Sequence, residues 1–205
     1  MGLGISAEVS FTTLKDESVP VGKFPRWAVL GRSNVGKSSL LNALVHPKKL
    51  FRTGAKPGVT TGLVGVQVQL GKADQSVLEL VDLPGFGFAR HSNNVLSAWE
   101  DLIVSLRERS QDRGMMWVWL VDPKRKPGDE ERALKSWLQM APYMFVFTKA
   151  DQVKASKRKE SEKVWASYID MATEGPYWTS SMKGEGFKEL QKSAKNYVRL
   201  SSELG

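Results

Sequence analysis

The sequence predicts one doubly wound, three-layer α/β domain, with a mostly parallel sheet that carries one antiparallel edge strand. Three observations predict it. Short β-rich runs alternate with segments of helical period, as in sheets covered on both faces. Several of those runs are apolar throughout, as buried parallel strands are. A glycine-rich turn stands between the first clear run and the first helix.

The predicted strands are Arg26–Gly31, Leu63–Leu70, Val77–Asp82, Met116–Asp122, Tyr143–Lys149 and Pro176–Ser180. Trp117-Val118-Trp119-Leu120-Val121 is the clearest fully apolar run. Val64, Val66, Val68 and Leu70 alternate with smaller or polar residues, which predicts a half-exposed edge strand paired antiparallel to the next. Residues 1–24 read as an N-terminal extension that can add a strand near Glu8–Leu14. Helical stripes run through Val95, Trp99, Leu102, Ile103 and Leu106, then through Leu134, Trp137, Leu138 and Ala141, and then through Val164, Trp165, Tyr168 and Ile169. The last helix, about Gly186 to Ser201, turns Leu190, Ala194 and Tyr197 inward and sets Lys188, Lys192, Lys195 and Arg199 on the opposite face. The tryptophans are expected to anchor the core.

The bulk numbers agree with one domain. The chain has 205 residues, of which 41% are hydrophobic and 25% charged, enough for one sizeable core. It has no cysteine, which excludes disulfides, thiolate zinc sites and a cysteine nucleophile. The longest apolar run, Met115–Val121, is far short of the roughly 18 residues of a membrane span, so no insertion is expected. Met1–Ser6 fits a lipidation pattern but is read as a frayed or processed start. Thirty Lys and Arg against 22 Asp and Glu leave a net charge of +8, which favours a polyanionic partner.

Four motifs, each after a predicted strand, and one turn-rich stretch between the first two carry the chemistry. Gly31-Arg32-Ser33-Asn34-Val35-Gly36-Lys37-Ser38, followed by a helical run Ser39–Val45, is a phosphate loop in its strand–loop–helix setting. Its N–H groups converge on a β-phosphate at a helix N-terminus. Lys37 is expected to bridge β- and γ-phosphate oxygens, and the Ser38 hydroxyl to ligate Mg²⁺. In Asp82-Leu83-Pro84-Gly85, Asp82 is expected to hold that ion through a water and the Gly85 N–H to meet the γ-phosphate. In Lys56-Pro57-Gly58-Val59-Thr60-Thr61 a threonine completes the metal's ligation when the γ-phosphate is present. Thr60 is chosen, with Thr61 in competition.

The other two motifs choose the base. In Thr148-Lys149-Ala150-Asp151 the Asp151 carboxylate can accept from guanine N1–H and N2 together, a donor pair adenine lacks. The Lys149 stem can cover the purine face, and a backbone N–H near Ser181 or Met182, in Ser180-Ser181-Met182-Lys183, can reach O6. GTP and GDP with Mg²⁺ are therefore the expected ligands. A metabolic phosphotransferase on the same scaffold would need no guanine motif, so Asp151 speaks against it.

These residues resemble the EngB (YihA/YsxC) family of ribosome-assembly GTPases, within the Era-like P-loop class. The resemblance rests on Gly31–Asn42, on Asp82-Leu83-Pro84-Gly85-Phe86-Gly87-Phe88-Ala89, on Pro57-Gly58-x-Thr60, on Thr148–Asp151 and on Ser180-Ser181, and spans roughly Pro25 to Leu200. It implies a GTP hydrolase acting as a GTP-gated switch in maturation of the large ribosomal subunit, with ribosomal RNA as the favoured partner. A monomer is expected, in a bacterial cytosol or an organellar matrix or stroma. The alternative is the GTPase module of a tRNA-modification or membrane-transport system, which usually brings further domains or membrane helices. Thr61 stands where the family has glutamine, and Asp122-Pro123-Lys124 where it has D-x-R. Neither is expected to touch nucleotide chemistry. Phe86 occupies the position at which many small GTPases orient the attacking water with a glutamine, so intrinsic hydrolysis is expected to be slow. Asn34 stands where related GTPases ligate an activating K⁺. A turn asparagine bonding its own backbone is the equal reading. Basic clusters at Lys48-Lys49, Lys124-Arg125-Lys126, Lys154–Lys159 and the outer face of the last helix are the candidate RNA contacts.

Overall fold

A computed structural model describes residues 6–13, 19–45, 47, 49–51, 62–71, 76–86, 101, 103–110, 114–138 and 141–203. Thr60, Thr61, Val95, Trp99, Leu102 and Lys48 lie outside the described residues.

The strands are β1 (Ser6–Thr13), β2 (Arg26–Gly31), β3 (Leu63–Gln69), β4 (Val77–Asp82), β5 (Met115–Val121), β6 (Tyr143–Phe147) and β7 (Glu174–Trp178). The helices are α1 (Lys37–Leu44), α2 (Asp129–Leu138), α3 (Arg158–Ile169) and α4 (Phe187–Glu203), with a further helical stretch at residues 103–108. The seven strands form one sheet in the order β1-β3-β4-β2-β5-β6-β7.

Strand alternation sorts the apolar side chains into two cores. Along β2, Trp27 and Val29 join Leu40, Leu41, Leu190 and Ala194 on one face. Their neighbours Ala28 and Leu30 join Ile103, Leu134 and Trp165 on the other. The sheet is thus buried on both sides, which is why its central strands lack a polar face. Helix α4 lies as its pattern predicts, Leu190 and Ala194 buried and Tyr197 half-buried with its ring 6.5 Å from that of Trp27. In α3 the stripe is narrower than predicted: Trp165 and Tyr168 are buried, whereas Val164 is exposed.

One strand runs against the rest, as predicted, and it is β3, antiparallel to β4. It is not the edge. The strand foreseen in the N-terminal extension, β1, pairs antiparallel with β3 from the outside, Ser6 opposite Gln69 and Thr13 opposite Leu63. The alternation of β3 reflects its two different faces rather than a solvated side: Val66 and Val68 enter one core and Leu63 the other. The parallel strands β2, β4, β5 and β6 end together, so the loops that follow them share one rim of the sheet. The candidate motifs sit on that rim.

Candidate functional site

The phosphate loop joins β2 to α1 through a backbone that ordinary residues cannot follow. Gly31 has φ of 155°, and a Cβ there would stand 2.7 Å from the Leu120 carbonyl oxygen and 2.9 Å from Val35 Cγ1. Asn34 adopts the left-handed region with φ of 61°, a conformation asparagine tolerates in turns. Val35 is buried beneath the loop, Gly36 precedes α1, and Ser39 lies exposed on its first turn. Arg32 turns its side chain out of the loop, its Nη1 2.8 Å from Glu130 and 3.3 Å from Glu131 on α2. It can offer the phosphates its backbone N–H alone.

Lys37 is 7% exposed and arches back over the loop, its ammonium donating to the Gly31 carbonyl at 3.3 Å. Burial pushes its pKa down, against the pull of Asp82. Asp82, at the end of β4, is 1% exposed. Its Oδ2 accepts from the Ser38 hydroxyl at 2.7 Å, while its Oδ1 is buried with no hydrogen-bond partner. Burial raises its pKa to about 6, although the Ser38 bond and the Lys37 charge oppose the rise. A buried carboxylate oxygen without a donor, beside a serine hydroxyl and at the foot of the phosphate loop, is a fitting pair of hard oxygen ligands for Mg²⁺.

The segment after β4 lies directly on this loop. A Cβ on Gly85 would come within 2.8 Å of Ser33 Cα and 2.9 Å of both Ser33 N and Lys37 Nζ, so only glycine fits. The Ser33 N–H donates to the Phe86 carbonyl at 3.0 Å.

At the other end of the site, Thr148 bolts β6 to the phosphate loop: its hydroxyl donates to the Val35 carbonyl at 2.8 Å. Lys149 has φ of 54°, and its ammonium reaches the Asn34 carbonyl at 3.1 Å and Asp122 Oδ2 at 2.9 Å. Asp122 thus touches a candidate nucleotide residue. Its Oδ1 accepts from the Lys124 N–H at 3.0 Å, so Asp122-Pro123-Lys124 is a turn that presents one carboxylate oxygen to Lys149. Burial works against ionisation there, but these bonds outweigh it and hold the pKa below the usual range. The charge type was visible in the sequence. The pairing, 27 positions apart, was not.

Asp151 Oδ1 accepts from the Ser180 hydroxyl at 2.5 Å, and that bond draws its pKa down. Its carboxylate stays ionised and open to further donors. Ser181 is exposed and Met182 is 88% exposed, so the turn after β7 offers its backbone outward. The structure therefore brings Gly31–Ser39, Asp82, Gly85, Thr148, Lys149, Asp151 and Ser180–Met182 to one rim of the sheet. Among the described residues, no helix is long and apolar enough to cross a membrane.

A family model described as 50S ribosome-binding GTPase matches residues 26–149. Two relatives carry the name "Probable GTP-binding protein EngB". That of Syntrophotalea carbinolica is 36% identical over 188 residues, 90% of this chain and 87% of the relative. That of Pelotomaculum thermopropionicum is 34% identical over 200 residues, 96% of this chain and 97% of the relative. Among solved structures, Era in complex with MgGDPNP and nucleotides of 16S ribosomal RNA matches with a TM-score of 0.69 at 22% identity, over 86% of this chain and 58% of Era. A structure described as a probable GTP-binding protein engB gives 0.56 at 22% identity, over 85% of this chain and 98% of the other. The structural likenesses carry the fold; the sequence relatives carry the family. GTP, GDP and Mg²⁺ are that family's ligands, and the chain belongs to the EngB family of GTP-binding proteins and is a GTP hydrolase.

Proposed function

We propose that the chain is a GTP-gated switch in assembly of the large ribosomal subunit, working as a single copy in the bacterial cytoplasm. The packing of Gly85 against Ser33 and Lys37 carries the gating. A γ-phosphate bonded to Lys37 needs the space between Lys37 and Gly85. Filling it pushes Gly85 and Phe86 outward and breaks the Ser33–Phe86 bond, so the loop that follows registers the third phosphate.

In this reading Lys37 spans the β- and γ-phosphate oxygens, and the Gly85 N–H meets the γ-phosphate. Ser38, Asp82 and Thr60 would hold Mg²⁺, which offsets the charge of the phosphates. Asp151 accepts from guanine N1–H and N2, the Lys149 stem covers the base, and a backbone N–H at Ser181 or Met182 reaches O6. Phe86 cannot order the attacking water, so intrinsic turnover is slow. Asn34 would ligate an activating K⁺: turnover in K⁺ should exceed that in Na⁺, and Asn34→Ala should abolish the difference. Equal rates in the two salts would remove the ion from the mechanism.

The net charge of +8 and a family model named for 50S binding support a ribosomal partner. Sedimentation with purified ribosomal subunits tests it, in GDP, a non-hydrolysable GTP analogue or no nucleotide, at two salt concentrations. Analogue-dependent pelleting with the large subunit is expected. Nucleotide-independent pelleting that vanishes with salt would show charge attraction and no gate. Absence of pelleting in every state would remove the ribosome as partner.

A further inference from the structure

Two turns meet at the base-reading end of the site, residues 148–151 after β6 and residues 180–186 after β7. Their backbones are joined where the Ala150 N–H donates to the Thr179 carbonyl at 2.9 Å. The second turn closes on itself, the Ser180 N–H donating to the Glu185 carbonyl at 3.1 Å. One side chain from a third element spans both. Arg158, the first residue of α3, donates through Nη2 to the Ala150 carbonyl at 3.3 Å and through Nη1 to the Glu185 carboxylate. Its guanidinium lies 4.9 Å over the Trp178 ring, which stacks on Phe147 at 4.4 Å and donates through Nε1 to Glu162 at 2.8 Å.

The Ala150 carbonyl belongs to the peptide that leads into Asp151, and Glu185 holds the backbone of Ser180. Arg158 therefore fixes both ends of the 2.5 Å bond between Ser180 and Asp151. We infer that Arg158 is a positioning residue for base selection: without touching the base, it clamps the two turns so that the Asp151 carboxylate faces a purine bearing adjacent N–H and amino donors. The inference rests on the assignment of Asp151 to guanine. A planar fork suits the task, because its two amino groups are held apart and aimed at two separate acceptors, whereas a lysine offers one compact point charge. The Arg158 and Glu185 side chains are 22% and 37% exposed, so their pair adds little to stability and its effect falls on geometry.

Competition against a fluorescent guanine nucleotide would give the affinities of GDP and IDP for the native chain, Arg158→Ala, Arg158→Lys and Glu185→Gln. IDP lacks the N2 amine and loses one of the two bonds to the carboxylate, so the native chain should prefer GDP by about tenfold or more. A misplaced carboxylate loses GDP more than IDP. Arg158→Ala should narrow the ratio to about threefold or less, Glu185→Gln should narrow it too, and Arg158→Lys should fall between. An unchanged ratio in Arg158→Ala, or an equal loss of both nucleotides, would overturn the clamp. Asp151→Asn, assayed beside them with GTP and XTP, separates the two ideas. If it fails to turn preference toward xanthine, the base assignment itself falls. If it succeeds while Arg158→Ala keeps the native ratio, the clamp alone falls.

Discussion

At Asp82 the fold holds a carboxylate with one oxygen bonded to Ser38 and the other buried without a donor. This arrangement disfavours the charge, and burial raises the pKa to about 6 from the ordinary aspartate value of about 3.9. Between those two pH values the folded chain keeps a proton that the unfolded chain has released. Stability is therefore fully favoured below about 4 and declines as pH rises through about 6. The whole effect is at most about 3 kcal/mol. Asp122 and Asp151 are shifted downward and slope the other way, so the informative quantity is a difference. Denaturation of the ligand-free native chain and of Asp82→Asn, at about pH 4.5 and 7, should show the native chain losing stability relative to the variant as pH rises. A flat difference would mean that Asp82 is not desolvated as described. If Asp82 holds Mg²⁺ as proposed, it does so ionised, and the cost of charging it is part of what the metal would overcome.

At the scale of elements, what the sequence made legible and what it hid divide along one physical line. β2 and β4 fall on their predicted residues because an apolar run ended by a glycine or an aspartate has few other readings. The motif loops were legible for a similar reason. Gly31 and Gly85 are dictated by sterics, Lys37 and Asp151 by charge, and each follows a strand. The edge was misplaced because alternation reports that a strand has two unlike faces, not whether a further strand lies beside it. Only the pairing of β1 shows that β3 is internal. The hidden part consists of contacts between residue types common on any surface. Arg158 with Ala150 and Glu185, and Asp122 with Lys149, carry no local signature. Asn42 is another case. Its amide donates to the Phe51 carbonyl at 2.7 Å and accepts from the Phe51 N–H at 2.9 Å, a clip that ties α1 to the start of the segment leading to Thr60. Nothing in the spacing announces it.

At the scale of the whole molecule, the site occupies one rim of the sheet, and a buried ion pair sits toward the other. Arg26, at the start of β2, bonds Glu79 of β4 at 2.6 Å, both side chains 5% exposed or less. Further hydrogen bonds surround the pair. Arg26 also donates to Ser110 at 2.8 Å and to the Pro20 carbonyl at 2.9 Å, while Ser10 of β1 donates to Glu79 at 2.7 Å. Segments 84 positions apart are thus joined at one point, including the N-terminal extension. Taking two charges out of water is costly, so the pair is worth little against well-packed apolar residues, yet losing one partner strands the other charge. Arg26→Ala should therefore cost about 3–5 kcal/mol, and Arg26→Met with Glu79→Leu far less. The length of β2, about 17 Å, separates this network from the phosphate loop. GDP affinity, measured where each variant is still folded, should therefore stay at the native value. Urea denaturation paired with nucleotide titration checks both halves. A loss of affinity in the folded Arg26→Ala chain would mean that the floor of the sheet and its nucleotide rim are one mechanical unit rather than two.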